Sequence, residues 1–280
     1  MSDDACERWS VLSALLGRAE DIARLKEPLS ATLQAVGADG IFSLTQAVAL
    51  EAVVADFDPD VIIDLGTGRG ASCATFALAS RGRFTEIYTL DVNPNWYDYV
   101  RPRLPAGDWH AIKPIIADIV GFDFSPLVEG AQRVFVFLDA HGFAVAAKLL
   151  SHLMPLIADK RHFVFCHDIS DNRLWNSDQA RSYGGKRLWR GTDDFFDNIE
   201  CTALLNIDWM ATAGEQALMI YDFCYRNLMP LRSVDEDVHL KATPAEKALL
   251  ESSLFGGWIP AFDLAYFTMN NTAQRHFPAE

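Results

Sequence analysis

Apolar residues recur at helical spacing through the first fifth of the chain. Trp9, Leu12, Leu15, Leu16 and Ala19 share one face, Leu29, Leu33 and Val36 a second, and Ala47, Leu50 and Val54 a third. From residue 60 the pattern changes to short apolar runs: Asp60 to Asp64, Glu86 to Leu90, Ala111 to Ile116, Arg133 to Leu138 and His162 to Cys166. The intervals between them suit crossover helices, which predicts parallel strands with helices on both faces. Two more runs, Cys201 to Ile207 and Ala217 to Phe223, are joined by a link too short for a crossover and predict a closing antiparallel hairpin. The expected fold is an α/β, Rossmann-like, doubly wound seven-stranded sheet, mostly parallel with an antiparallel terminal strand, plus N-terminal helices. The expected organisation is a helical segment over 1–55, a ligand-binding core over 56–225, and a helical or coil extension over 226–280 packed on it.

Composition narrows the function. With 280 residues, half of them hydrophobic, the chain can bury a full core. Its net charge of −14 makes a nucleic-acid partner a poor expectation. No apolar run approaches the roughly 20 residues of a membrane span, so no membrane partner is expected. The acidic start lacks the basic and apolar regions of a secretory signal, so a cytoplasmic location is expected. Five cysteines (Cys6, Cys73, Cys166, Cys201 and Cys224) without paired spacing argue against a disulfide framework or zinc finger. Self-association is left open.

The densest chemical signal is Asp64-Leu-Gly66-Thr67-Gly68-Arg-Gly70-Ala-Ser72, directly after the first predicted strand and opening an apolar helix. Glycines there let a ligand approach the backbone, and the helix start offers unpaired N–H groups. The second strand ends in Asp91, placed to accept both hydroxyls of a ribose. Together they point to a nucleoside cofactor. Gly66, Gly68 and Ala71 also satisfy the dinucleotide pattern G-x-G-x-x-G/A, so a nicotinamide-dependent oxidoreductase stays open. A non-catalytic nucleoside-binding module stays open as well.

Strands four and five each end in a carboxylate and a histidine: Asp139-Ala-His141 and His167-Asp168. Adjacent strands would bring them to one cavity as a metal or acid/base site; the lesser alternative is that Asp139 and Asp168 cap the following helices. After Asp168 comes a long polar loop carrying Arg181, Lys186, Arg187 and Arg190. It reads as a substrate wall or a solvated face. Residues Gly40 to Gln46 read as a closing segment or as a helix start capped by Ser43.

The acid before the glycines and the hairpin after five parallel strands resemble the class I S-adenosylmethionine-dependent methyltransferases, with D-x-G-x-G-x-G met by Asp64, Gly66, Gly68 and Gly70. The resemblance implies S-adenosylmethionine as cofactor, held by Asp64, Gly66, Thr67, Gly68, Gly70, Ser72, Asp91 and Asp118. Within that class the second constellation is similar to the metal-dependent small-molecule O-methyltransferases of the macrolide-sugar and cephalosporin hydroxylase-like group. That implies a divalent cation on Asp139, His167 and Asp168, either magnesium, manganese or another transition metal. His167 stands where that group has a second carboxylate, and imidazole favours the softer ions. His141, Asp139 and His167 are the expected catalytic residues, and a small hydroxylated sugar or natural product is the expected acceptor.

Overall fold

The structure is a computed structural model that describes residues 9–37, 42–167, 182–183, 186–187, 207–259 and 262–269. Strands β1 (Val61–Leu65), β2 (Glu86–Asp91), β3 (Ile112–Ile116), β4 (Arg133–Leu138), β5 (Arg161–His167), β6 (Arg232–Ser233) and β7 (Leu264–Phe267) form one sheet. Its order is β3-β2-β1-β4-β5-β7-β6. Strands β1 to β5 are mutually parallel, and β7 runs antiparallel to both β5 and β6. The sheet is therefore the expected seven-stranded, doubly wound one.

The predicted closing hairpin is corrected. Ala217 to Phe223 lies inside the helix Ile207–Arg226, while 201–206 fall outside the described residues. Gln216, Ala217, Ile220, Tyr221 and Cys224 are buried on that helix while Leu218 and Tyr225 are exposed, a helical period. A short apolar run does not distinguish a buried helix from a buried strand by itself, and here the helix wins. The antiparallel strands come from the C-terminal segment, where all four residues of β7 are buried.

Side chains alternate across the sheet and divide the core. Ile62, Phe135, Phe137, Phe163, Phe165, Leu264 and Tyr266 meet helices α1 (Val11–Gly17), α2 (Ala19–Ala35), α3 (Leu44–Phe57) and α4 (Ala71–Ala79). Ile63, Leu65, Val136, Leu138, Val164, Cys166 and Phe267 meet the opposite layer, built from α5 (Phe143–Lys148, continuing through Met154–Ile157) and α6 (Ile207–Arg226). Helix α3 starts at a capping box: Ser43 Oγ accepts from Gln46 N at 3.2 Å and Gln46 Oε1 accepts from Ser43 N at 2.7 Å. That start stands over the carboxyl end of β5.

Of the polar loop, the described part is a short antiparallel pair, Ser182–Tyr183 against Lys186–Arg187. Asp168, Arg181 and Arg190 lie outside the described residues. Among the described residues no helix is long and apolar enough to cross a membrane.

Candidate functional site

Strand order reverses between β1 and β4, and in an open α/β sheet ligands bind in the crevice beyond the strand ends at that point. The glycine turn occupies it. Leu65 O accepts from Asp139 N at 2.8 Å and Ala140 N at 2.7 Å, while Gly66 N and Thr67 N donate to Leu90 O at 2.9 and 3.3 Å. The turn is thus clamped between the ends of β2 and β4. Gly66 has φ +99°, and a Cβ there would lie 2.6 Å from Ala140 N, so only glycine fits. Gly68 is exposed, with φ +53° and open space around its would-be Cβ. Gly70 begins α4 in a left-handed conformation, packed against Val100.

Carboxylates surround this cradle. Asp91 closes β2 and accepts from Gly68 N at 2.9 Å and Asn93 N at 2.8 Å. Asp64 is fully buried at the end of β1; Ser72 Oγ and Thr89 Oγ1 donate to its Oδ2 at 2.9 and 2.8 Å, while its Oδ1 has no partner. Burial pushes its carboxyl up to about 8, and the negative charges of Asp139 and Asp91 push the same way against the two hydroxyl bonds. Thr67 Oγ1 lies 2.5 Å from Thr89 Oγ1. Since Thr89 spends its proton on Asp64, Thr67 is the donor of that pair. Asp118 stands beyond β3, exposed, where Ala117 N donates to Asp91 O at 3.1 Å; its own carboxylate accepts from Val120 N at 3.0 Å.

Asp139 and His167 continue the β4–β5 register from Leu138 and Cys166. Each is two residues beyond a phenylalanine facing α3, Phe137 or Phe165, so alternation turns both toward that helix. His167 Nδ1 lies 2.6 Å from Asp139 Oδ1, and His167 Nε2 lies 2.6 Å from Gln46 Nε2. His167 is 8% exposed. Phe42 sits beside it, 6.4 Å between ring centres, and edge-on to Phe137 at 6.3 Å. His141 is half-buried in the turn before α5. The next residue, Gly142, has φ +134° and donates its N–H to Gln216 Oε1 at 2.9 Å.

No protein-family model matches the chain, and no curated protein matches it. Solved structures do resemble it. An SAH-bound methyltransferase of Podospora anserina aligns at 14% identity over 86% of this chain and 88% of its own, with a TM-score of 0.47. A SAM-complexed O-methyltransferase of Streptomyces achromogenes involved in tomaymycin synthesis aligns at 14% identity over 86% and 89%, TM-score 0.48. An SAH-complexed O-methyltransferase of Bacillus cereus aligns at 12% identity over 86% and 90%, TM-score 0.45. Such distant likenesses say nothing about this chain's chemistry. The architecture rests on the sheet itself, five parallel strands in doubly wound order, a reversed β7, and a glycine turn after β1 preceded by a buried acid. The fold is a Rossmann-like, doubly wound seven-stranded sheet.

In this fold the structure brings Asp64, Gly66, Thr67, Gly68, Gly70, Ser72 and Asp91 together at the switch point, with Asp118 at its outer edge. It brings Asp139 and His167 together next to them. Of the three expected cation ligands, the structure describes two, Asp139 and His167, side by side. Both ring nitrogens of His167 and one oxygen of Asp139 already lie at hydrogen-bond distance from protein groups. Among the described residues no group of three His, Cys, Asp or Glu could hold a metal ion. The third expected ligand, Asp168, lies outside the described residues. Sequence reasoning missed two participants, Thr89 and the Gln46 side chain. The capping-box spacing Ser43-x-x-Gln46 was legible, but nothing local signals a contact 121 residues away.

Proposed function

We propose that the protein transfers a methyl group from S-adenosylmethionine to an oxygen of a small hydroxylated molecule, such as a sugar or natural product. One observation carries this reading: the glycine cradle at the switch point is flanked by the carboxylates of Asp91 and Asp139. A dinucleotide would bring a pyrophosphate to this turn, and those acids would repel it. A sulfonium cofactor brings a cation, which they attract. The Asp91 carboxylate, at the end of β2, has the position and charge to accept ribose hydroxyls.

When bound, S-adenosylmethionine supplies an electrophilic methyl group. The chain's own residues have to hold the acceptor, exclude water and take its proton. His141 and the Asp139–His167 pair are the basic groups beside the cradle, and Asp139 can stabilise an imidazolium once the proton has moved. No step is assigned to a metal, because Asp168, the third expected ligand, lies outside the described residues.

Calorimetric titration tests this directly. S-adenosylhomocysteine should bind and NADH should not; NADH binding alone would replace the reading with the oxidoreductase one. A screen of hydroxylated acceptors for S-adenosylhomocysteine release then identifies the substrate.

A further inference from the structure

The contact between Gln46 and His167 has a determinate polarity. Gln46 Oε1 accepts the backbone N–H of Ser43 at 2.7 Å. Turning the amide over would set its NH2 group against that N–H, donor to donor, so the capping box pins the amide orientation. The atom 2.6 Å from His167 Nε2 is therefore the amide nitrogen, which carries no available lone pair. It can only donate. Nε2 must then be the acceptor, unprotonated, and the ring proton must sit on Nδ1, which faces Asp139 Oδ1 at 2.6 Å.

We infer that Gln46 is a positioning residue that holds His167 as the neutral Nδ1–H tautomer, so that the dyad's proton acceptor is Nε2 and the acceptor's hydroxyl reaches it by taking the place of the Gln46 amide. This rests on the methyl-transfer reading for its catalytic consequence. The hydroxyl O–H then donates where the amide N–H did, and its proton passes to Nε2. The oxygen lone pair forms the new C–O bond, and the methyl–sulfur bond breaks with its electron pair going to sulfur. The products are the methyl ether, S-adenosylhomocysteine and an imidazolium held by Asp139.

The test separates the tautomer from the reaction. In 15N-histidine NMR of the cofactor-free protein at pH 7.5, His167, identified by its loss in His167→Asn, should show a pyrrole-type Nδ1 and a pyridine-type Nε2. Gln46→Glu keeps the capping box, since glutamate serves equally at that position, but presents an acceptor. It should convert Nε2 to a protonated, pyrrole-type or cationic nitrogen. It should also lower kcat by roughly a hundredfold or more, the scale of general-base catalysis, with S-adenosylhomocysteine affinity within twofold of wild type. Gln46→Leu removes the amide donor without presenting an acceptor and should release the tautomer preference, moving the Nδ1 and Nε2 shifts toward each other. A protonated Nε2 in the wild type, or His167 shifts unaltered in a folded Gln46→Glu, overturns the inference. The expected shifts in a protein that binds no S-adenosylhomocysteine would uphold the tautomer and overturn the methyl-transfer reading instead.

Discussion

The carbon that Gly66 lacks would stand 2.6 Å from the backbone nitrogen of Ala140, one residue beyond Asp139. The cofactor turn and the end of β4 therefore touch backbone to backbone, and the two halves of the candidate site share one anchor, Leu65 O. Gly66→Ala should push them apart and add left-handed strain at φ +99°. A loss of about 3 kcal/mol or more in urea unfolding is expected. Gly68→Ala meets open space at φ +53° and should cost only roughly 1–2 kcal/mol. Equal losses at the two positions would contradict the clamp.

Asp91→Ala removes the acceptor for Gly68 N and Asn93 N as well as the group proposed for the ribose. S-adenosylhomocysteine binding should weaken by about 2–3 kcal/mol, the range of charge-assisted hydrogen bonds, or roughly 30- to 150-fold. Calorimetry on a variant with wild-type circular dichroism decides it; an unchanged Kd sinks the assignment.

Asp64, pushed up to about 8 by its burial, keeps its proton in the folded chain while an unfolded aspartate loses it near about 3.9. The folded state binds the extra proton between those values. Its stabilising contribution is complete below pH about 4 and is lost as pH rises toward 8. Asp235, buried and pushed up to about 7, acts in the same sense, so the informative quantity is a difference. Asp64→Asn should gain on wild type as pH rises from 5 to 8, by at most about 1.4 kcal/mol per unit. Parallel urea-unfolding curves across that range would mean that Asp64 folds ionised.

Methyl transfer should persist in excess EDTA, because His167 and Asp139 are committed to each other and to Gln46. Turnover that stops on chelation and returns with manganese would mean that the pair opens to take a cation, the arrangement expected from sequence resemblance.

Sequence by itself determined the parts of this protein that are local. Five strands, the Ser43 helix start and the glycine turn follow from periodicity and from what glycine and serine do within a few residues. The gathering of Asp64, Asp91, Asp118 and Asp139 along one sheet edge follows too, because parallel strands with crossover helices end on the same side. Tertiary structure alone decided the rest. Ala217 to Phe223 is apolar enough for either a strand or a helix, and packing against the α5 layer made it helix. That left the sheet's outer positions to Leu264–Phe267 and Arg232–Ser233. In the same way His167 reads from sequence as a metal ligand, since its residue type and strand-end position allow that. The structure sets Gln46, from a helix 121 positions earlier, against its ring, an approach fixed by how α3 packs on the sheet and written in no local pattern.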